Sequence, residues 1–112
     1  MATSRNVKLV VYVPEMHADA VRQAMGNAGA GVIGNYTHCT FSAKGIGRFR
    51  AEDGAKPFLG KVGEVTAVSE ERIETVCSRD RIKRVIEAIR KVHPYEEIAM
   101  DIYPLEDIAA VP

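Results

Sequence analysis

The spacing of hydrophobic residues along the chain predicts alternating strands and helices. Residues 7–13 are rich in β-branched and apolar residues at both odd and even positions, which is typical of a central strand. Apolar residues then recur at i, i+3, i+4 and i+7, which predicts an amphipathic helix over residues 15–28. The same spacing returns from Ile82 onward and predicts a second helix, which ends at His93 because Pro94 cannot continue it.

Between the two predicted helices lies a stretch of β-favouring residues and turn formers. Residues 36–41 and 45–50 are separated by three residues, which predicts a β-hairpin turning at Ser42-Ala43-Lys44. Residues 51–63 contain glycines, a proline and an Asp-Gly pair, so an irregular projecting loop is predicted there.

The rest of the pattern predicts two further strands. Residues 64–77 read as a long strand, and a change of parity near Ser69 is consistent with a bulge. Residues 98–103 alternate as a last strand. The resulting order is that of a ferredoxin-like fold, an α+β sandwich of the type β-α-β-β-α-β with an extended hairpin.

Length and charge narrow the class of protein. The chain has 112 residues, which predicts a single domain over residues 1–112 with its core at about 7–105. Its 15 basic and 15 acidic residues balance, which argues against a nucleic-acid partner. No apolar run approaches the roughly 20 residues of a membrane span, so we expect a cytoplasmic protein. The small core favours a homo-oligomer, a dimer or a trimer.

No catalytic arrangement is visible in the sequence. Residues 29–34 fit G-x-G-x-x-G, but they follow a helix and precede a strand, the reverse of a dinucleotide-binding turn. The serines lie outside any nucleophile elbow. Cys39 is next to His38, but neighbouring strand residues point to opposite faces, so this pair should not meet. Cys39 and Cys77 are far apart in sequence, and both are interpreted as reduced structural thiols.

The densest group of potential ligands is His93-Pro94-Tyr95-Glu96-Glu97, at the predicted junction of helix and strand. An imidazole with a carboxylate could hold a divalent metal ion, and His93 with Glu97 is the favoured pair because Glu96 and Glu97 should face opposite ways. In the competing interpretation the same residues are structural: His93 caps the helix and Pro94 ends it.

Several motifs occur in a fixed order along nearly the whole chain. They are Ala28-Gly29-Ala30-Gly31, Gly34-Asn35-Tyr36, Cys39-Thr40-Phe41, Gly45-x-Gly47-x-Phe49, Pro57-x-x-Gly60, Glu70-x-Arg72-Ile73-Glu74 and His93-Pro94-Tyr95-Glu96-Glu97. Together they resemble the PII/CutA-like domain inserted in YqfO-type members of the Nif-three-like (Ngg-one-interacting factor three) family, and its stand-alone relatives.

The resemblance implies a ferredoxin-like fold that associates through its sheets. It does not imply hydrolase activity, because the two-metal site of that family belongs to the flanking halves of those proteins. It also implies that the recurring motifs lie together, so the ligand-binding candidates are Asn35, Tyr36, Gly47, Phe49 and Tyr95.

The sequence therefore predicts a non-enzymatic, oligomeric domain for regulation or interaction, with a protein partner or a small ligand. The alternative is a CutA-like protein that binds a divalent metal ion as its cofactor, and the third hypothesis is a small hydrolase.

Overall fold

The computed structural model describes residues 3–112, which form a four-stranded antiparallel sheet covered on one face by two helices. The strands are β1 (Thr3–Pro14), β2 (Phe41–Arg50), β3 (Val65–Ser78) and β4 (Met100–Glu106), and the helices are α1 (Ala18–Asn27) and α2 (Ile82–Val92). The strand order across the sheet is β2-β3-β1-β4. The predicted α+β ferredoxin-like fold is confirmed.

The first predicted helix divides into two parts. Glu15–His17 forms a single 3-10 turn, and the α-helix proper begins at Ala18 and ends at Asn27. Pro14 ends β1 with an extended backbone, so the chain needs this turn to change direction before α1 can begin.

The core lies between the helices and the face of the sheet that they cover. On β1 the residues at alternate positions from Val7 to Val13 are buried in it, and Ile73 of β3 lies beside them. Val21 and Met25 of α1 and Val85 and Ile89 of α2 close the core from above. Each such side chain stabilises the fold by about 1.5–3 kcal/mol when fully buried. The predicted apolar stripes of the two helices therefore hold the helices against the sheet.

The predicted hairpin within residues 36–50 is wrong. Residues 41–50 form one continuous strand, paired with β3 from Phe41 opposite Glu74 to Arg50 opposite Val65. Residues 28–40 are irregular apart from one isolated bridge. The backbone groups of the supposed turn at residues 42–44 find their partners on β3, which makes a turn there unnecessary.

The extended hairpin of the fold is instead made by β2 and β3, joined by the predicted loop. Beyond the pairing of Pro14 with Glu70, residues 46–50 and 65–69 pair only with each other. We call this two-stranded extension the arm. An isolated two-stranded ribbon is at best marginally stable in water, so the arm depends on contacts with other parts of the protein.

The bulge expected near Ser69 is also wrong, because β3 keeps one register with β2 from Val65 to Glu74. The irregular burial pattern arises at Glu70 and Glu71, which are both buried although they point to opposite faces of the sheet. The strand is covered on both sides at this point, and that covering creates the candidate site.

In the described part of the chain, residues 3–112, neither helix has the length and apolar character needed to cross a membrane.

We predict that Gly31 and Gly34 differ in their tolerance of alanine. Both have a positive φ, 80° and 57°, which costs a residue with a Cβ roughly 1–2 kcal/mol. A Cβ on Gly31 would in addition press against the backbone of Cys39 and the hydroxyl of Thr75, whereas a Cβ on Gly34 meets nothing within 4 Å.

Gly31→Ala should therefore lower the free energy of unfolding by about 1–3 kcal/mol more than Gly34→Ala does, measured by urea denaturation. Equal losses in the two variants would show that the contact with Cys39 relaxes without cost.

Candidate functional site

A cavity of about 510 Å³ lies where the arm leaves the sheet, on the face opposite the helices. Its walls come from β2, from β3, from the loop at residues 51–64 and from the segment after α2. The lining side chains used below are Phe49, Phe58, Glu70, Tyr95 and Glu96, with Gly47 contributing backbone. Cavities of this size are typical of small-molecule sites.

His93 fixes the segment after α2 against the sheet. Its Nε2 lies 2.7 Å from the carbonyl oxygen of Tyr12, and its Nδ1 lies 3.1 Å from the amide nitrogen of Tyr95. Because the amide must donate to Nδ1, the ring is the neutral tautomer with its proton on Nε2, which donates to Tyr12. Burial lowers the pKa of His93, and that shift favours the same neutral form.

Tyr95 extends from this anchor into the cavity. Its hydroxyl donates a hydrogen bond to Oε2 of Glu70 over 2.9 Å. Its ring makes an edge contact with Phe49, with centroids 5.9 Å apart, and lies 6.5 Å from Phe58. Burial, with the hydrogen bond to Glu70, raises the pKa of the Tyr95 phenol, so the phenol remains protonated and acts as a donor.

Glu70 is the buried carboxyl group of the site, with only 8% of its surface exposed. Its second oxygen, Oε1, lies over Gly47 of the neighbouring strand, where a Cβ would collide with it. Gly47 is therefore glycine because the carboxyl group of Glu70 occupies the space above it, and not because of a turn.

The loop at residues 51–64 closes the outer side of the cavity. The amide of Lys56 donates to Oε1 of Glu96 over 2.8 Å. Phe58 stacks edge-on against His17, with centroids 5.4 Å apart, yet half of its surface, 51%, stays exposed. The loop thus presents the aromatic side chain of Phe58 to the cavity, and only a few contacts hold the loop in place.

The structure brings together three of the five predicted ligand-binding residues, Gly47, Phe49 and Tyr95. It does not bring Asn35 and Tyr36 to them. The segment carrying Asn35 and Tyr36 is tied to β3 by the hydrogen bond from Gly31 to Val76, six residues from Glu70. At about 3.3 Å per residue this is roughly 20 Å away along the strand. A ligand-binding role for the other three stays a prediction.

The predicted metal pair, His93 and Glu97, has no geometric support. Both ring nitrogens of His93 are already hydrogen-bonded, so a metal ion would have to displace one partner. Glu97 is exposed, and within residues 3–112 no group of three or more His, Cys, Asp or Glu side chains could hold a metal ion. The contacts of His93 instead support the structural interpretation.

Two residues of the cavity were missed in the sequence, Glu70 and Phe58. Glu70 stands in the recurring motif Glu70-x-Arg72-Ile73-Glu74, but that motif does not indicate that its side chain is buried. Phe58 lies in an irregular loop with no periodicity, and nothing in the sequence indicates which way it points.

Comparison with known proteins identifies the relatives of the chain. A protein of Bacillus subtilis (strain 168) named "GTP cyclohydrolase 1 type 2 homolog" is 57% identical over 103 residues, covering 92% of this chain and 28% of that protein. The crystal structure of a Bacillus cereus protein related to NIF3 matches with a TM-score of 0.81 and 45% identity, covering 96% of this chain and 27% of that one. The chain is homologous to one segment of the NIF3-related proteins. The predicted resemblance is confirmed.

The chain spans about a quarter of the length of these curated relatives. No protein-family model matches it. CutA from Archaeoglobus fulgidus has the same fold, with a TM-score of 0.68 at 13% identity over 91% of this chain and 85% of that one. At that identity the likeness concerns the fold alone.

We predict that His93 makes stability depend on pH. Its pKa is lowered in the folded state, so on acidification the unfolded chain binds a proton that folded His93 rejects. The free energy of unfolding should fall as the pH drops below about 6.5, the ordinary value, and level off below the folded pKa.

His93→Gln should lower the free energy of unfolding by about 1–3 kcal/mol at pH 8, because the buried hydrogen-bond partners of His93 are left poorly satisfied. Below pH 6.5 the free energy of unfolding of this variant should depend less steeply on pH than that of wild type. His38→Asn, which removes an exposed histidine, is the matched control. The free energy of unfolding is measured by denaturation at several pH values. If both variants show the same dependence of this free energy on pH, His93 is not the source of the pH dependence.

Proposed function

We propose that this chain is a non-enzymatic regulatory or interaction domain that binds a small ligand in the arm cavity and associates with copies of itself. The observation that carries the proposal is a cavity of small-molecule size, built around a buried carboxyl group and aromatic side chains. A binding role for Gly47, Phe49 and Tyr95 is part of this proposal.

His93, which anchors the segment beside the cavity, and Tyr95, which lines it, do not provide a free general base. A general base needs a free lone pair near its working pH, but both nitrogens of His93 are engaged in hydrogen bonds. The raised pKa of Tyr95 keeps its proton in place. Away from the cavity, burial raises the pKa of Cys77, so its thiol is a poor nucleophile.

Self-association is supported by the outer edge of β2. This strand lies at the edge of the sheet, and its backbone groups on that side pair with no strand among residues 3–112. Phe41 and Ile46 lie on it with most of their surfaces exposed. An exposed edge strand with apolar side chains is a template for pairing with another chain, and such pairing would also support the marginal arm.

We expect the protein at micromolar concentration to have a light-scattering mass that is a multiple of the 12.3 kDa monomer. Ile46→Lys, which places a charge on the β2 edge, should lower that mass because a charged edge strand resists pairing. Ile108→Lys is the control, since Ile108 is 88% exposed and follows β4, the opposite edge of the sheet. A monomeric wild type, or an equal effect of both variants, would contradict association through β2.

We also expect the chain to leave GTP unchanged. The relatives carry a name that refers to GTP cyclohydrolase, but this chain corresponds to about a quarter of their length. Incubation with GTP and either magnesium or zinc, followed by chromatography of the nucleotide, should yield no product above a protein-free control. A product that increases with protein concentration would overturn the non-enzymatic proposal.

A further inference from the structure

Two adjacent buried glutamates of β3 have different partners. Glu71 faces the helices and is neutralised by Arg22 of α1, whose Nη1 lies 2.6 Å from its Oε1. Glu70 faces the cavity, and in residues 3–112 its side chain has no ion pair within 4.0 Å. Its hydrogen-bond donor there is the neutral hydroxyl of Tyr95.

This difference matters because a buried carboxylate without a cation is unfavourable. Removing a carboxylate from water is unfavourable, and a single neutral hydroxyl compensates only part of that loss. The fold supplies Arg22 for Glu71, and Arg72, on the same face of β3 as Glu70, is paired with Glu74. Among residues 3–112, Glu70 therefore lacks the cation that these two neighbouring carboxylates have.

The cavity wall does not supply the missing cation. Arg48 and Arg50 belong to the wall, but they alternate along β2 with Gly47 and Phe49, which face Glu70 and Tyr95, so their side chains leave from the other face. Arg50 is also paired with Glu52 over 3.3 Å. Apart from Glu70, the other charged residues of the wall, Glu52, Glu96 and Glu97, are acidic.

The aromatic side chains around Glu70 suit a ligand that carries a positive charge on an organic body. Phe49, Phe58 and Tyr95 surround the cavity, and aromatic faces attract cations while their apolar surface accepts a flat organic body. A bare metal ion is poorly matched, because it would need several more oxygen or nitrogen ligands than one carboxyl group provides.

From these contacts the geometry points to a binding site for a small organic cation, an ammonium or amidinium group on an apolar or aromatic body, with the charged group at Glu70. This assignment deepens the proposed regulatory function and rests on it. Oε1 of Glu70, over Gly47, is the oxygen that is left for the cation once Oε2 has accepted the hydrogen bond of Tyr95.

The test uses two probes of the same shape, protonated 2-phenylethylamine and neutral 2-phenylethanol, titrated at pH 7 into the full chain and followed by NMR. Wild type should bind the ammonium about tenfold more tightly than the alcohol or better. Glu70→Gln should remove this preference while retaining weak binding of both probes to the aromatic walls. Glu87→Gln, which removes one negative charge from an exposed position of α2, should retain the preference.

Two further variants keep the test decisive if Glu70→Gln fails to fold. Phe58→Ala changes a half-exposed loop residue and should weaken both probes by a similar factor. Gly47→Ala should displace the carboxyl group of Glu70 and reduce the preference for the ammonium, whereas Gly45→Ala, where a Cβ meets nothing within 4 Å, should not.

Equal affinity of wild type for the two probes, no binding of either, or an unchanged preference in Glu70→Gln or Gly47→Ala would overturn the assignment. Light-scattering mass and GTP stability are measured on the same samples. If the protein self-associates and leaves GTP intact but shows no preference for the ammonium, only the assignment of the ligand class is rejected, and the proposed regulatory function stands. Turnover of GTP would instead remove the proposed function.

Discussion

The cavity depends on the position of one neutral imidazole. His93 ends α2, donates to the carbonyl of Tyr12 on β1 and accepts from the amide of Tyr95, so it joins a helix, a central strand and the following segment at one point. That junction directs the phenol of Tyr95 to Glu70, and Glu70 in turn occupies the space above Gly47. A protonated ring could not accept from the Tyr95 amide, so this arrangement requires the uncharged form that burial favours.

Much of the fold could be predicted from the sequence because its layers follow simple periodicities. The stripe with Val85 and Ile89 in α2 and the apolar run of β1 are buried as their spacing predicts. The prediction fails at Ser42-Ala43-Lys44, where it places a hairpin turn, because these residues belong to a continuous strand paired with β3. Gly45 and Gly47 lie inside a continuous strand, since pairing with β3 satisfies their backbone and the bulk of Glu70 requires the absence of a Cβ at Gly47.

The site could be predicted only in part, for a related reason. The motif that contains His93 and Tyr95 was recognised as important, but its sequence does not show that both nitrogens of the imidazole are used in hydrogen bonds. Nor does local sequence show that Glu70 is buried on the face without helices, because its hydrogen-bond partner Tyr95 is 25 residues away in the chain. Contacts between distant segments decide such details, and residue periodicity carries no information about them.

The two sides of the cavity are held with different strength, and this difference suits a binding site more than a structural void. On the inner side, Glu70 and Gly47 belong to paired strands, and Tyr95 is fixed through His93. On the outer side, the loop has an exposed hydrogen bond from Lys56 to Glu96 and the edge contacts of Phe58. Segments with few buried contacts open at low free-energy cost, so the loop can admit a ligand while the inner wall keeps its geometry. A ligand that fills the space between the two sides gains contacts with both, and its binding free energy adds to the stability of the loop and of the arm that carries it.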